Sequence, residues 1–514
     1  MKIRRNIKML LGVLAMGIFP WGMAFATGDA PLSAIGWLSD SVDLPEVEDQ
    51  PQPHVPFASL PGEITVMALD APLPDRAGLR PATDFGLDPG LWGRTSASDL
   101  ARTLATLNIG ADAPPSLLGF LRDLLTLELD PPIDAVVDDS FFLARVDRLL
   151  AMGQLDLAGQ LIVAADDPRP AYFRRTFDIA LLTGTETDAC RQIGETPDLS
   201  PTYPARIFCL ARLGEWDVAA LTLGNAEALG ILSDDEDQLL LHFLDPELFE
   251  GDPLPQAPRL PSPLLFRLYE AVGERIPTGE LPVAFAVADL SDIVGWQARL
   301  KAAERLTAVD ALPIERLIEV FSERKPAASG GIFDRVAAVR ALQRALDKRD
   351  IADVQKTLPA AWRAANLGGF KSAFAPWVAD RIEGLELDQR AAHLAFEIAL
   401  WAGRPQLAAD FATEKDRFLL AVALGQGNTG PAPDDLGRAV LRGLSAIGPG
   451  SAYQALIDDG RTGEALLRAI SQLQDGAAGN PKATTQSLAL LRHIGLEALA
   501  RRIAVELVLK EGAA

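Results

Sequence analysis

The chain has 514 residues, 70 acidic against 48 basic side chains and a net charge of −22; the charge becomes −26 once the first 26 residues, with four basic and no acidic side chains, are set aside. Such an excess of acid repels phosphate and anionic lipid, because binding either depends on basic contacts that release counterions. Composition therefore argues against nucleic acid as a partner and for a basic protein surface or peptide, and the length suffices for two or more cooperative units or for a solenoid strung along one axis.

The N-terminus reads as an export signal. Lys2, Arg4, Arg5 and Lys8 form a positive region, residues 9–19 an apolar one, and Ala24, Phe25 and Ala26 an A-x-A cleavage site. Residues 1–26 are thus expected to be a signal peptide cleaved after Ala26, which places the mature protein in a bacterial periplasm. The alternative is a retained anchor, since the uncharged run over residues 9–26 lies at the lower limit of about 18 residues for spanning a bilayer. No cysteine flanks the cleavage site, and no later segment is as long without charge, so no membrane contact is expected beyond the signal segment.

Residues 27–95 hold ten prolines, eleven acids and three bases. That composition predicts an acidic, disordered, proline-rich arm. Apolar islands interrupt it at 31–42, with Ile35, Trp37 and Leu38, and at 85–92. Each is a candidate docking segment for a groove, or else a tryptophan-bearing stretch that packs back onto its own chain. Residues 64–69 read as a strand that adds to an edge.

From residue 96 the pattern is helical. Phe142, Val146 and Leu149 share one face, and Leu157, Ala158, Leu161 and Ile162 share another, the i, i+3, i+4 spacing of amphipathic helices. Between them Gly153 is placed to end the first helix in a left-handed conformation, and Ala158, five residues on, lets the second lie close. The step returns at Gly184 and Ala189, Gly214 and Ala219, Gly403 and Ala408, Gly460 and Ala465, and Gly495 and Ala500, with a seventh copy at Asp347 and Ala352 that lacks the glycine. These units predict an all-α array of helical hairpins in two parts, 96–245 and 264–514. The stretch 246–263, with six prolines, reads as a break between them. The charged last helix is expected to cap the array with one face in water. Cys190 and Cys209 fall on adjacent helices of neighbouring hairpins, which suits either a disulfide in an oxidising compartment or two buried thiols.

The Gly-to-Ala step, the bulky Leu149, Leu150, Leu210 and Leu213 before the glycines, and spacings of 31 and 30 residues between Gly153, Gly184 and Gly214 resemble tetratricopeptide repeats. The usual tyrosines and the closing proline are missing. The resemblance covers about half the chain in scattered units and implies a TPR-like α-solenoid, a right-handed superhelix with a concave peptide-binding face.

No catalytic constellation emerges. His54, His242, His393 and His493 lack a second ligand at zinc spacing, and no cofactor or metal is expected. Gly425, Gly427 and Gly430 match G-x-G-x-x-G but follow a helix and run into Pro431, which suits a loop. Ser322 and Lys325 match S-x-x-K without its companion motifs. The cluster Asp234, Asp235, Glu236 and Asp237 follows Ser233 at capping-box spacing. The expected function is a non-enzymatic, exported scaffold or adaptor that binds another envelope protein. In layout it is similar to MotC-type periplasmic motility proteins, which implies support of a machine such as the flagellar motor. The alternative is a peptidoglycan enzyme or regulator with a superhelical fold.

Overall fold

In the computed structural model, Gly153 (φ 76°), Gly184 (φ 74°), Gly214 (φ 85°), Gly403 (φ 69°), Gly460 (φ 70°) and Gly495 (φ 90°) all take the left-handed conformation that the hairpin step requires. The alanine five residues after each is buried, from 0% exposed at Ala158 to 5% at Ala189. The structure describes residues 73–107, 109, 113–135, 139–167, 169–326, 329–427, 430–477 and 479–511. All of the described residues belong to one compact unit. The signal segment and the candidate docking residues Ile35, Trp37 and Leu38 lie outside the described residues.

The described residues are mostly helical, with almost no strand. A two-residue parallel pair, β1 (Arg80–Pro81) on β2 (Leu127–Glu128), brackets α1 (Ala97–Ala105) and α2 (Pro115–Leu125). Six hairpin helices follow: α3 (Ser140–Ala151), α4 (Leu155–Ala165), α5 (Pro170–Thr183), α6 (Glu186–Glu195), α7 (Tyr203–Arg212) and α8 (Trp216–Ala228). Next come α9 (Asp234–Leu244), α10 (Pro263–Ala271), the 3-10 stretch Val283–Leu290, α11 (Trp296–Ala308) and α12 (Ile314–Ser322). Then follow α13 (Ile332–Asp347), α14 (Ile351–Leu367), α15 (Lys371–Ile382), α16 (Gln389–Trp401), α17 (Pro405–Phe411) and α18 (Arg417–Leu424). The last helices are α19 (Asp435–Ser445), α20 (Gln454–Asp458), α21 (Thr462–Ala477), α22 (Pro481–His493) and α23 (Glu497–Glu511). Among the described residues no helix is long and apolar enough to cross a membrane.

Capping fixes several helix starts. Ser96, Thr202, Ser262, Asp350, Asp388 and Asp434 each accept the third backbone N–H of the helix they precede. Ser233 and Glu236 form a reciprocal capping box at the head of α9, so the acidic run there begins a helix. At the seventh copy Arg349 takes the left-handed turn (φ 51°), while Ala352 is exposed and Val354 is buried in its stead.

The core does not divide at the proline-rich stretch 246–263. Phe173 to Tyr269 supply a satellite core shared by α5 to α10, whereas the main core draws on residues from Ala82 to Leu507. Within the stretch, Leu254 and Ala257 pack on the satellite core, and Pro253 O and Pro255 O accept hydrogen bonds from Gln238 Nε2 (2.7 Å) and Tyr269 Oη (3.0 Å). The prolines shape a connection that wraps α9 onto α10, and α10 in turn packs on α5. Cys190 on α6 and Cys209 on α7 are joined by a disulfide with Cα atoms 4.8 Å apart. Closing a loop with a sequence separation of 19 contributes about 3 kcal/mol on the chain-entropy account. Replacing both cysteines with alanine is therefore expected to speed hydrogen exchange across α6 and α7 by about a hundredfold while exchange in α13 to α16 stays unchanged.

Two expectations are corrected at the chain ends. Residues 73–95, assigned by composition to the disordered arm, are folded into the main core: Leu87, Leu91 and Trp92 are at most 4% exposed, and Trp92 meets the edge of Phe141 at 4.7 Å. Three large apolar side chains outweigh the prolines of the segment, Pro74, Pro81 and Pro89. The last helix is not an outer cap: its exposed residues Glu497, Ala498 and Lys510 lie at its two ends. Ala500, Ile503 and Ala504 are fully buried, and α23 packs on α2, α16, α18, α19 and α22. Glu506 enters the interior paired with Arg502 (3.1 Å), while Arg501 and Glu497 pair where both remain open to solvent (2.7 Å).

The two ends of the described chain thus meet. Leu91 O accepts from Gly463 N (2.8 Å), Gly460 O accepts from Arg94 N (3.0 Å), and a Cβ at Gly463 would lie 2.4 Å from the Trp92 ring. At Gly463 only glycine permits that approach.

Candidate binding groove

Pro114 and Pro115 start α2 and leave its first N–H groups pointing past the helix end. Those groups are satisfied from the other end of the chain. Glu506 Oε2 accepts from Ser116 N (3.0 Å) and Ser116 Oγ (2.8 Å), so a carboxylate 390 residues away caps α2. Glu506 is 1% exposed, and burial pushes its pKa up against the opposing pull of Arg502 and Ser116. Arg502 Nε donates to Glu506 Oε1 (3.1 Å), and Arg502 Nη2 donates to Trp401 O (2.8 Å). The guanidinium fills the space beside Gly403, where a Cβ would lie 1.4 Å from Nη1. One ion pair therefore ties α2, α16 and α23 together.

Beside this clasp a groove of about 760 Å³ runs between α2, the start of α12, α15 and the turn into α23. Phe85, Phe120, Ile314, Leu496 and Leu499 supply apolar surface, and Gly119, Ala373 and Ala498 keep the walls low. The volume lies within the range typical of ligand clefts, and apolar walls with a few polar groups are their usual lining. On the far side of Arg502 and Ala498 a smaller cavity of about 270 Å³ lies against Gly403, Pro405 and Leu424.

The rim is acidic. Asp123, Asp310 and Glu315 line it, and the Arg122 guanidinium lies between the first two, 2.9 Å from Asp123 and bonded to Asp310. Burial works against the Arg122 charge, but the carboxylates of Asp310 and Asp123 outweigh it and hold its pKa above the ordinary value. Asp310 takes a left-handed conformation (φ 57°), which aspartate tolerates better than most side chains. Gln154 Nε2 secures that turn by donating to Asp310 O (3.0 Å). Glu315 sits in the first turn of α12, where it complements the helix dipole. Arg122 and Arg502 stand against these three carboxylates, and because Arg502 is already paired with Glu506 the rim stays negative.

Among the described lining residues there is no histidine, lysine, cysteine or tyrosine. The Ser116 hydroxyl donates to Glu506, so its proton is already committed. The arrangement suits the binding of an apolar segment with a basic flank.

The structure places the other sequence-level candidates elsewhere. Cys190 and Cys209 belong to the satellite core, and His242 is buried with Nδ1 against Gln238 O (2.8 Å). Ser322 ends α13's predecessor, α12, and Gly425 ends α18 in a left-handed cap. Among the described residues no cluster of histidine, cysteine, aspartate and glutamate could hold a metal ion. The groove itself was not foreseen, because its walls come from five stretches of sequence lying between residues 85 and 502. The apolar island at 85–92 was the one usable signal.

A second titratable group lies between α3 and α5. Arg175 holds Asp147 bidentately at 2.5 and 2.7 Å, and burial pushes nearby Asp178 up to about 7, with Arg174 and Arg175 opposing the shift and Asp147 adding to it. Between the ordinary value of 3.8 and about 7 the folded chain holds a proton that the unfolded chain has lost, so stability falls as pH rises through that window. Asp178→Asn is expected to raise the urea midpoint most at pH 8, less at pH 5 and least below pH 4, as read by circular dichroism.

No protein-family model matches the chain, and neither a curated protein nor a solved structure is significantly similar to it.

Proposed function

We propose that this chain is an exported, non-enzymatic scaffold of the bacterial envelope, and that the groove between α2, α12, α15 and α23 holds an apolar, basically flanked segment of another envelope protein. The carrying observation is the groove's apolar wall under a net negative rim. The chain's charge of −22 favours the same class of partner. In this reading the six glycine-to-alanine hairpins form a TPR-like solenoid, the N-terminal signal delivers the chain to the periplasm, and a periplasmic machine such as the flagellar motor is a setting that fits the layout.

The test fills the groove. Ala373 is half-buried in its wall, and Ala373→Trp adds a ring where the partner would lie, while Leu499→Arg reverses the rim's preference. Crosslinking in the periplasm of producing cells is expected to capture one dominant protein with the parent chain and with Val163→Arg, whose parent valine is 78% exposed on α4. Capture should fall about tenfold with either groove variant. Equal capture by all four chains contradicts the proposal.

A further inference from the structure

Helix α8 is apolar on nearly every side yet buries only one. Ala219 and Leu223 belong to the satellite core and Ala226 is fully buried, whereas Trp216, Val218, Leu221 and, just past the helix end, Leu229 are 49%, 47%, 66% and 69% exposed. A helix that is hydrophobic all round is ordinarily covered on all sides. On the outer face Val218 and Leu221 alternate with the exposed small residues Gly224 and Ala228, so a second helix can approach closely.

The charge around that face has one sign. Residues 215–237 contain seven acids and no lysine or arginine. Glu215 precedes α8, Asp217 lies on its outer face one turn before Leu221, Glu227 stands at its side, and Asp234 and Asp235 stand on the adjoining start of α9. Burial, with Glu227 and Asp234 adding to it, holds Asp237 above its ordinary pKa, so these three acids crowd one another. The platform beneath is rigid: the Cys190–Cys209 disulfide joins α6 to α7, and the buried Glu186 carboxylate binds Arg212 of α7 and Arg267 of α10.

We infer that the outer face of α8 is a docking surface for an amphipathic helix of a partner protein whose apolar stripe is flanked by lysine or arginine. A second copy of this chain would bring the same acidic flanks against themselves, and like charges oppose that pairing. The inference stands apart from the groove, which belongs to the main core.

The probe is a fluorescein-labelled helical peptide with leucine on one face and lysine along both flanks, titrated by anisotropy into the full chain. Binding is expected to weaken about tenfold in Leu221→Glu, to fall as salt is raised, and to persist in the groove variant Leu499→Arg. Because Leu221 is mostly exposed, the glutamate is carried without unfolding, which circular dichroism checks. The inference is overturned by no binding to the parent chain, by equal binding of a glutamate-flanked peptide, or by equal binding to Leu221→Glu. It is also overturned if sedimentation shows a dimer that Leu221→Glu splits, since the face would then belong to a second copy.

Discussion

Glu506→Ala is expected to lower stability by about 2–3 kcal/mol and to open the groove, because it strips a half-buried guanidinium and a helix N-terminus of their shared anion. Ser116 N, Ser116 Oγ and Arg502 Nε all direct hydrogen bonds at this one carboxylate. Urea denaturation measures the loss, and its location decides the interpretation. If Glu506 joins the two ends of the chain, hydrogen exchange should rise together in α2 and α23 while the satellite core from α5 to α10 stays protected. Glu506→Gln keeps an acceptor for Ser116 but removes the charge, so an intermediate loss is expected. A loss below about 1 kcal/mol for the alanine variant would mean that water replaces the carboxylate and that packing alone joins the ends.

Arg145→Met should be at least as damaging, and at a different place. Arg145 is 1% exposed, and its guanidinium donates to Leu125 O (2.9 Å), Asp75 O (2.9 Å), Ala77 O (2.8 Å) and Leu127 O (3.0 Å). It therefore holds residues 75–77 against the end of α2 and the β2 strand. Burial lowers its pKa to about 10, with Asp75 opposing the shift, so the side chain stays charged at neutral pH. Methionine preserves most of the packing volume and removes every donor. The carbonyls left without their donor cost about 1–3 kcal/mol each in isolation, and a total near 4 kcal/mol is expected because the losses share one relaxed segment. Limited proteolysis gives the local signature: cleavage within residues 73–95 should precede cleavage elsewhere in the variant and not in the parent chain.

These two residues also mark where sequence reasoning reached its limit. The hairpins were legible because a glycine turn and a close-packed alanine are local requirements written within five residues, and six such pairs behave alike. The copy at Asp347 and Ala352 shows the weakness of a small pattern in an alanine-rich chain: Arg349 makes the turn and Val354 takes the buried position. The joining of the ends was not legible. Nothing near Ser116 announces that its amide is capped from Glu506, and Arg502 beside Glu506 reads as an ordinary solvated i, i+4 pair until the helix is placed. The folding of residues 73–95 was missed for a related reason. Leu87, Leu91 and Trp92 form no periodic face, and their contacts lie on α3 and α21, so proline and acid content dominated the reading.

Hydrogen exchange of the full chain, with and without a synthetic copy of the partner segment captured by crosslinking, tests the binding account most directly. The groove joins residues 115–123, 310–315, 372–376 and 495–502, stretches that share nothing but their place in the fold. Binding there predicts slowed exchange in all four together, with α13 and α14 unchanged. Protection confined to one of the four, or found only around α8, would contradict the groove as the site of recognition.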